Sequence, residues 1–397
     1  MKLNSGLIAL EEDYVFAEVR QRVQRFSAQN PDRKVISLGI GDVSGPLCRA
    51  VIRAMHRAVR EQGRRRSFHG YGPEQGYLFL RQQIAAALTA AGAPVQPREI
   101  FINDGAKTDL GGLLDLIEPG SRVLLCDPTY PAVRDDCRIR GLEPVSLPAV
   151  EADDFLPMPP PGDPDFDAVY LCSPGNPTGA VYSRDQLAVW VDYARANEIL
   201  LLFDAAYAPF LSDPALPRSI YEIPGARCCA VEIGSFSKLA GFTGTRCGYA
   251  VLPNELSSRG IPLQALWARH QSARTNGVSY VVQCGAAAVY TPAGQRQTAK
   301  AIAQVKENAA VLSAALDAAD LSYWGGEHSP YLWMKCPRGL SSWGFFDFLL
   351  EYGGLVGTPG IGFGPGGEGY FRLSAFGDPS RLREGGLRLV RAMDYLR

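Results

Sequence analysis

Five short apolar runs punctuate the middle of the chain: "REIFIND" (98–104), "SRVLLCDP" (121–128), "DAVYLCSP" (167–174), "EILLLFD" (198–204) and "RCCAVEIG" (227–234). Continuous apolar character over a few residues, closed by polar or turn residues, predicts strands buried on both faces. Between the third and fourth runs, "SRDQLAVWVDYARANE" (183–198) opens on a serine cap and repeats apolar residues at helical spacing. Strands alternating with helices from about residue 74 onward predict an α/β fold with a mostly parallel sheet covered by helices. The proline-rich "LPMPPPGDPDFD" (156–167) predicts a surface loop joining two such units.

The pattern changes after about residue 290. A long helical stretch (295–319) precedes the strand-like "YLWMKCP". An amphipathic helix around "SWGFFDFLLEY", a glycine-rich loop "GTPGIGFGPGGEG" and the strand-like "YFRLSAF" follow. These predict a smaller α+β domain over 291–397, with residues 1–40 forming an N-terminal arm and part of that domain. Residues 41–290 are then the large domain. A chain of 397 residues is long enough for one large core and a smaller one.

Composition narrows the function classes. Hydrophobic residues at 46% and charged residues at 20% describe an ordinary globular protein. A net charge of −1 gives no electrostatic reason to expect nucleic acid or a membrane surface as partner. The basic run "REQGRRRSFHG" (60–70) is local and reads as solvated surface. Nine cysteines without a CxxC pair, and four histidines without metal-ligand spacing, predict reduced thiols in a cytoplasm and no metal site. The opening "MKLNSGLIALEEDY" lacks a long apolar stretch, so neither a signal peptide nor a transmembrane helix is expected there.

Ligands of an open α/β sheet bind beyond the carboxyl ends of its strands. Polar clusters fall at that place after each predicted strand: "DGAK", "DPTYP", "SPGNPTG", "DAAY" and "SFSK". Turn chemistry alone accounts poorly for five in succession. "SFSKLAGFTGTRCGY" (235–249) sets Lys238 between hydroxyls and glycines, with Arg246 eight residues on. Only seven lysines occur in the whole chain. A lysine can hold an aldehyde cofactor as a Schiff base once its pKa is lowered.

If that cofactor has a pyridine ring and a phosphate, three more parts are needed. Asp204 is placed to keep the ring nitrogen protonated. Ser235, Ser237 and Arg246, with the backbone amides of Ala106 and Lys107, can bind the phosphate. Tyr130 is a stacking candidate, and Asn176 and Tyr207 can hydrogen-bond the phenolic oxygen. Each residue taken alone has a simpler explanation. Asp204 could cap a helix, Tyr130 could be a turn aromatic, and Asn176 suits a turn between two prolines.

These motifs, together with Arg372 in "YFRLS", resemble the class I/II aminotransferases of PLP fold type I. "EEDYVFAEV", "ISLGIGDVSGPL", "GYGPEQGYLFLR", "INDGAKTDL", "DPTYPAVRDD", "GGEHSPYLWMKCP" and "TPGIGFG" are similar to the LL-diaminopimelate aminotransferase family, so the resemblance runs through nearly the whole chain. It implies pyridoxal 5′-phosphate as cofactor, with Lys238 carrying it and shuttling a proton, Asp204 on the ring nitrogen, and Tyr207 and Asn176 on the phenolic oxygen. Tyr130 would stack on the ring, with Ser235, Ser237, Arg246, Ala106 and Lys107 around the phosphate. The family pattern implies a homodimer with shared active sites, in which Tyr71 reaches the neighbour's phosphate.

By the same resemblance Arg372 grips the substrate α-carboxylate, helped by Gly41, Asn176 and Asn276. Glu74, Tyr14 and Lys107 match the positions that recognise the distal amino-carboxylate head, Glu74 and Tyr14 coming from the neighbouring subunit. The implied reaction moves an amino group between LL-diaminopimelate and 2-oxoglutarate. The chain departs from the family's usual residues at Gly45, Leu239, Thr275 and Val278; none of these removes a catalytic group, and Thr275 and Val278, close to Asn276, bear on substrate breadth.

Rival motifs are weaker. "SFSK" satisfies S-x-x-K, but companion S-D-N and K-T-G motifs are missing. "GIGFGPGGEG" mimics a dinucleotide loop but precedes a strand. A regulator built on the same body needs a DNA-binding segment, for which no room is expected before "EEDYVF". An aminotransferase for another amino acid, or a PLP-dependent lyase, shares the cofactor residues. Only Glu74, Tyr14 and Lys107 separate those readings.

Overall fold

The computed structural model describes residues 1–8, 10, 15–39, 41–43 and 45–396. Its centre is a seven-stranded sheet made of β1 (Ile100–Asn103), β2 (Arg122–Asp127), β3 (Glu143–Pro148), β4 (Ala168–Cys172), β5 (Leu200–Asp204), β6 (Ala230–Ser235) and β7 (Gly248–Val251). The strand order is β1-β7-β6-β5-β4-β2-β3. Strands β2 to β6 pair in parallel, and β7 pairs antiparallel to both β6 and β1. Two antiparallel steps return β1 to the common direction, so the five predicted strands all end at the same edge.

Side-chain alternation explains why these strands are apolar throughout. Leu124, Val169, Leu171, Leu201 and Phe203 enter one core with helices Leu78–Ala90 and Arg184–Ala196. Val123, Leu125, Ala168, Tyr170 and Leu202 enter the other, against helices Ala106–Leu114, Pro131–Ile139 and Leu263–Arg274. Both faces are covered, so no polar alternation survives. The helix Arg184–Ala196 starts as its sequence predicts: the Ser183 hydroxyl accepts the Gln186 amide, and the Gln186 side chain accepts the Ser183 amide.

Two strands lie outside the five apolar runs. Strand β3, "EPVSLP", is a sheet edge that carries two prolines and buries little, so it lacks the apolar signature. Strand β7 begins in the last two residues of the 235–249 stretch that reads as a binding loop and runs two residues past it.

A second core gathers Phe26, Ile36 and Leu38 with residues from 309 to 393. Its sheet is β8 (Tyr323–Gly325), β9 (Tyr331–Lys335), β10 (Thr358–Pro359) and β11 (Tyr370–Ser374), in antiparallel order β8-β9-β11-β10. The predicted helix near 295–319 spans Pro292–Ala318, capped by the Thr291 hydroxyl. The helix expected around 342–352 is α-helical only over Ser342–Phe348 and closes in a π turn, Leu349–Gly353. The 156–167 segment forms no regular element, as its prolines predict. All nine cysteines are free. Among the described residues no helix is long and apolar enough to cross a membrane.

The long helix fixes the chain beyond β11. Buried Asn308 donates from Nδ2 to the carbonyls of Ala375 (3.0 Å) and Gly377 (3.1 Å), on either side of Phe376. Asn308→Ala leaves both carbonyls without that donor. It should cost about 2–3 kcal/mol in a denaturant titration, read as a lower midpoint with unchanged slope. An unchanged midpoint would show that the two bonds contribute nothing net.

Candidate active site

A cavity of about 430 Å³ opens at the carboxyl edge of the large sheet, where it meets the second core. Gly41, Ala106, Lys107, Tyr130, Asn176, Asp204, Tyr207, Ser235, Ser237, Lys238, Arg246 and Arg372 all line it. Of the other sequence-predicted residues, Tyr71, Glu74 and Asn276 are exposed and outside this lining, and Tyr14 lies outside the described residues.

Lys238 projects from the short helix Phe236–Ala240, directly after β6. Its Nζ donates to the Gly41 carbonyl, and the Phe376 ring centroid lies 5.1 Å from it. Burial pulls its pKa down to about 8; Asp42 opposes the change, and the cations Arg372 and Arg246 add to it. The amine is therefore substantially neutral near pH 8, as a nucleophile or proton carrier requires.

Asp204 is the last residue of β5 and is buried. Its Oδ2 accepts from the Tyr170 hydroxyl (2.8 Å) and its Oδ1 from the Ala206 amide (2.9 Å). Among the described residues no cation pairs with it. Burial raises its pKa, and those two hydrogen bonds pull the other way. A buried carboxylate of this kind is matched by a ligand that brings a protonated nitrogen.

At the end occupied by Arg246 the geometry suits an anion. The Ser235 hydroxyl caps the Lys238 helix by accepting the Ser237 amide (3.1 Å), and the Ser237 hydroxyl accepts from Arg246 Nη1 (3.2 Å). Arg246 takes up φ +67, a conformation costing about 1–2 kcal/mol for a side-chain-bearing residue. Gly105, at φ +143, precedes the helix Ala106–Leu114, and a β-carbon there would strike the Arg246 guanidinium. The opening amides of that helix, Ala106 and Lys107, have no intrahelical partner by position and face an anion site readily.

Arg372 lies on β11 and is 2% exposed. Nη1 donates to Asn176 Oδ1 (2.6 Å), Nη2 to the Gly39 carbonyl (2.9 Å) and to Thr358 Oγ1 (3.5 Å), while Nε has no partner. The rings of Tyr331 and Phe363 lie 4.3 Å and 4.8 Å from its guanidinium carbon. Among the described residues every hydrogen-bond partner is neutral. A buried guanidinium held this way has its planar fork ready for a carboxylate.

Sequence reasoning missed Tyr170, Tyr331, Thr358 and Phe363. Tyr170 reads as a strand residue, and only the parallel register of β4 and β5 brings its hydroxyl to Asp204. Tyr331 stands in a quoted motif, "GGEHSPYLWMKCP", but its partner Tyr207 is 124 residues away. Thr358 and Phe363 sit in the glycine-rich stretch, whose composition draws attention to its backbone.

Comparison with known proteins places this arrangement. The family model described as "Aminotransferase class I and II" matches residues 33–386. An LL-diaminopimelate aminotransferase of Prochlorococcus marinus (strain MIT 9211) is 44% identical, the match covering 98% of this chain and 99% of that protein. The solved structure of an L,L-diaminopimelate aminotransferase from Chlamydomonas reinhardtii superposes with a TM-score of 0.91 at 37% identity, covering 100% and 98% of the two chains. A single mutant of Thermus thermophilus aspartate aminotransferase shares the fold at 22% identity, with a TM-score of 0.87 over 99% and 100%. The chain, with its amine, carboxylate and guanidinium around one cleft, belongs to the class I and II aminotransferases.

Proposed function

We propose that this aminotransferase uses pyridoxal 5′-phosphate to move an amino group between LL-2,6-diaminopimelate and 2-oxoglutarate. The products are tetrahydrodipicolinate and glutamate, and the biosynthetic direction, toward lysine and peptidoglycan precursors, is the reverse. The observation that carries the reading is one cleft lined by a lysine of lowered pKa, a buried carboxylate and a buried guanidinium, neither of the last two paired with an opposite charge among the described residues. The 44% identical relative supports the choice of substrate.

When bound, pyridoxal phosphate supplies an aldehyde for the amino group and a protonated ring that withdraws electrons from the substrate Cα. The chain does the rest. Asp204 holds the proton on the ring nitrogen, and Tyr170 keeps that carboxylate oriented. Tyr207 and Asn176 donate toward the phenolic oxygen, and Tyr130 covers the ring. Ser235, Ser237, Arg246 and the amides of Ala106 and Lys107 hold the phosphate. Arg372 fixes the substrate α-carboxylate, with Asn176 and Gly41 beside it, and so presents the Cα proton to Lys238 Nζ. Lys238 then moves that proton.

The active enzyme is proposed to be a cytoplasmic homodimer, with residues 41–290 as its large domain and 1–40 with 291–397 as the smaller one. Tyr71, Glu74 and Asn276 stay outside the cleft of one chain, yet the segments carrying the last two adjoin: a β-carbon at Gly277 would lie 3.2 Å from the Pro73 carbonyl and 3.6 Å from Glu74 Cα. A second cavity, about 730 Å³, lies beyond Lys107 and Arg246. It is lined by Trp267, His270 and Gln271, whose Nε1, Nδ1 and side-chain amide atoms are buried without partners. A second copy seated over this cavity would bring its own Tyr71, Glu74 and Asn276 toward the cleft. Glu74 would then pair with the distal ammonium and Lys107 with the distal carboxylate, joined by Tyr14.

Glutamate formation from 2-oxoglutarate, with LL- or meso-diaminopimelate, aspartate, lysine or an aromatic amino acid as donor, tests the reading. Preference for the LL isomer is expected. Activity with another donor alone would retire the substrate, and cofactor binding without any transfer would favour a lyase.

Three residues carry specific expected outcomes. Cofactor uptake by the apo protein should accelerate through about pH 8 as Lys238 loses its proton, and Lys238→Ala should abolish turnover. A rate still climbing toward the ordinary lysine range would exclude Lys238. Arg372→Lys loses the planar two-pronged contact, so kcat/KM for the amino donor should fall about 100-fold, the worth of roughly 3 kcal/mol. Glu74→Gln should reduce kcat/KM for diaminopimelate about 30-fold more than for a donor lacking the distal ammonium. Equal losses would remove Glu74 from that role.

A further inference from the structure

Tyr331 opens strand β9 and is 1% exposed, yet its side chain forms part of the cleft wall. Three contacts meet on it. Its ring lies 4.3 Å from the guanidinium carbon of Arg372, a cation–π pair out of reach of water. Its hydroxyl oxygen is 2.8 Å from that of Tyr207, the two rings standing 5.2 Å apart at 66°. A β-carbon at Gly41 would fall 2.9 Å from the same hydroxyl, so the segment whose carbonyl receives Lys238 Nζ runs directly against it.

The backbone leaves the ring little freedom. The Tyr331 amide donates to Ser329 Oγ (3.2 Å), and its carbonyl accepts from the Gly326 amide (2.8 Å). Strand pairing sets Trp333 of β9 opposite Arg372 of β11, which fixes Tyr331 relative to the guanidinium.

Two hydroxyls in one hydrogen bond share one donor, and each tyrosine owns a single proton. If Tyr207 donates outward to the cofactor's phenolic oxygen, it must accept from Tyr331. Arg372 favours that direction, because a cation beside Tyr331 polarises its O–H. The titratable groups facing this hydroxyl are Arg372, Tyr207 and the Cys172 thiol. We infer that Tyr331 is a positioning residue for both ends of the cleft: its ring seats the Arg372 guanidinium, and its hydroxyl commits Tyr207 to donating toward the cofactor. The inference rests on the reading of the cleft as a pyridoxal phosphate site.

Tyr331→Phe keeps the ring and removes the hydroxyl, whereas Tyr331→Leu removes both. Each holoenzyme is titrated by its visible absorbance, and each apo protein is titrated with pyridoxal 5′-phosphate for affinity. A weaker donor at the phenolic oxygen disfavours the more negative, deprotonated chromophore, so its apparent pKa rises. Tyr331→Phe should raise it by about half a unit or more, with the KM for the amino donor within about two-fold of wild type. Tyr331→Leu should add a KM increase of about ten-fold, the worth of a desolvated cation–π contact.

An unmoved absorbance titration in Tyr331→Phe overturns the hydroxyl role. An unmoved KM in Tyr331→Leu overturns the ring role, and the phenylalanine variant keeps the test alive if the leucine variant does not fold. Wild-type protein that takes up no cofactor overturns the reading of the site instead, so the two failures are distinct.

Discussion

Among the described residues Arg372 is a cation buried without an anion, and much of the cleft is organised by keeping it so. Removing a charge from water costs several kcal/mol even after a protein relaxes around it. Here the offsets are hydrogen bonds to neutral oxygens and two aromatic faces, each face worth about 1–2 kcal/mol. The partners come from four distant parts of the chain: Gly39 near the N-terminus, Asn176 after β4, Tyr331 at the start of β9, and Thr358 with Phe363 in the glycine-rich stretch. The guanidinium is thus where the two cores are tied together. None of its partners neutralises it, so an arriving carboxylate meets donors already aimed, with little reorganisation left to do.

Asp204 poses the inverse problem on the sheet side. Its oxygens are occupied by one hydroxyl and one amide, enough to orient the carboxylate and too little to neutralise it. Arg372 does not bridge to it: the guanidinium donates to Asn176, Gly39 and Thr358, and its neighbour Tyr331 is hydrogen-bonded to Tyr207. Lys238 sits among these charges, its pKa lowered by burial first and by two arginines in addition. Had Asp204 paired with Lys238 or Arg372, the lysine would keep its proton or the clamp would already be neutralised by a carboxylate. Separation of the three groups is what gives each its chemistry.

How much of this the sequence discloses depends on the range of the interaction. The five apolar runs and the polar residues at their ends are local signals, and the shared strand direction brings all five clusters to one edge. Lys238, Asp204, Asn176 and Arg246 are therefore legible. Strand β3 is not, since an edge strand with prolines buries too little to look apolar. Tyr170 and Tyr331 are ordinary strand residues until register and tertiary contact give them partners 34 and 124 residues away. Tyr71, Glu74 and Asn276 are legible only through the resemblance, because nothing within one chain gives them a partner in the cleft.

That last group points to a division of labour. The residues around Lys238 belong to one chain, and packing of the sheet against the second core fixes them. Glu74, expected to read the far end of the substrate, lies instead on an exposed surface, where the Pro73–Glu74 segment adjoins Gly277. Side chains on such a surface can change without touching either core, so substrate breadth can drift while the chemistry stays fixed. Thr275 and Val278, which depart from the family's usual residues, flank Asn276 and line the second cavity. On the dimer reading, a change at Thr275 acts on the neighbour's substrate site, whereas a change at Val278 also touches the first core of its own chain, against which it packs.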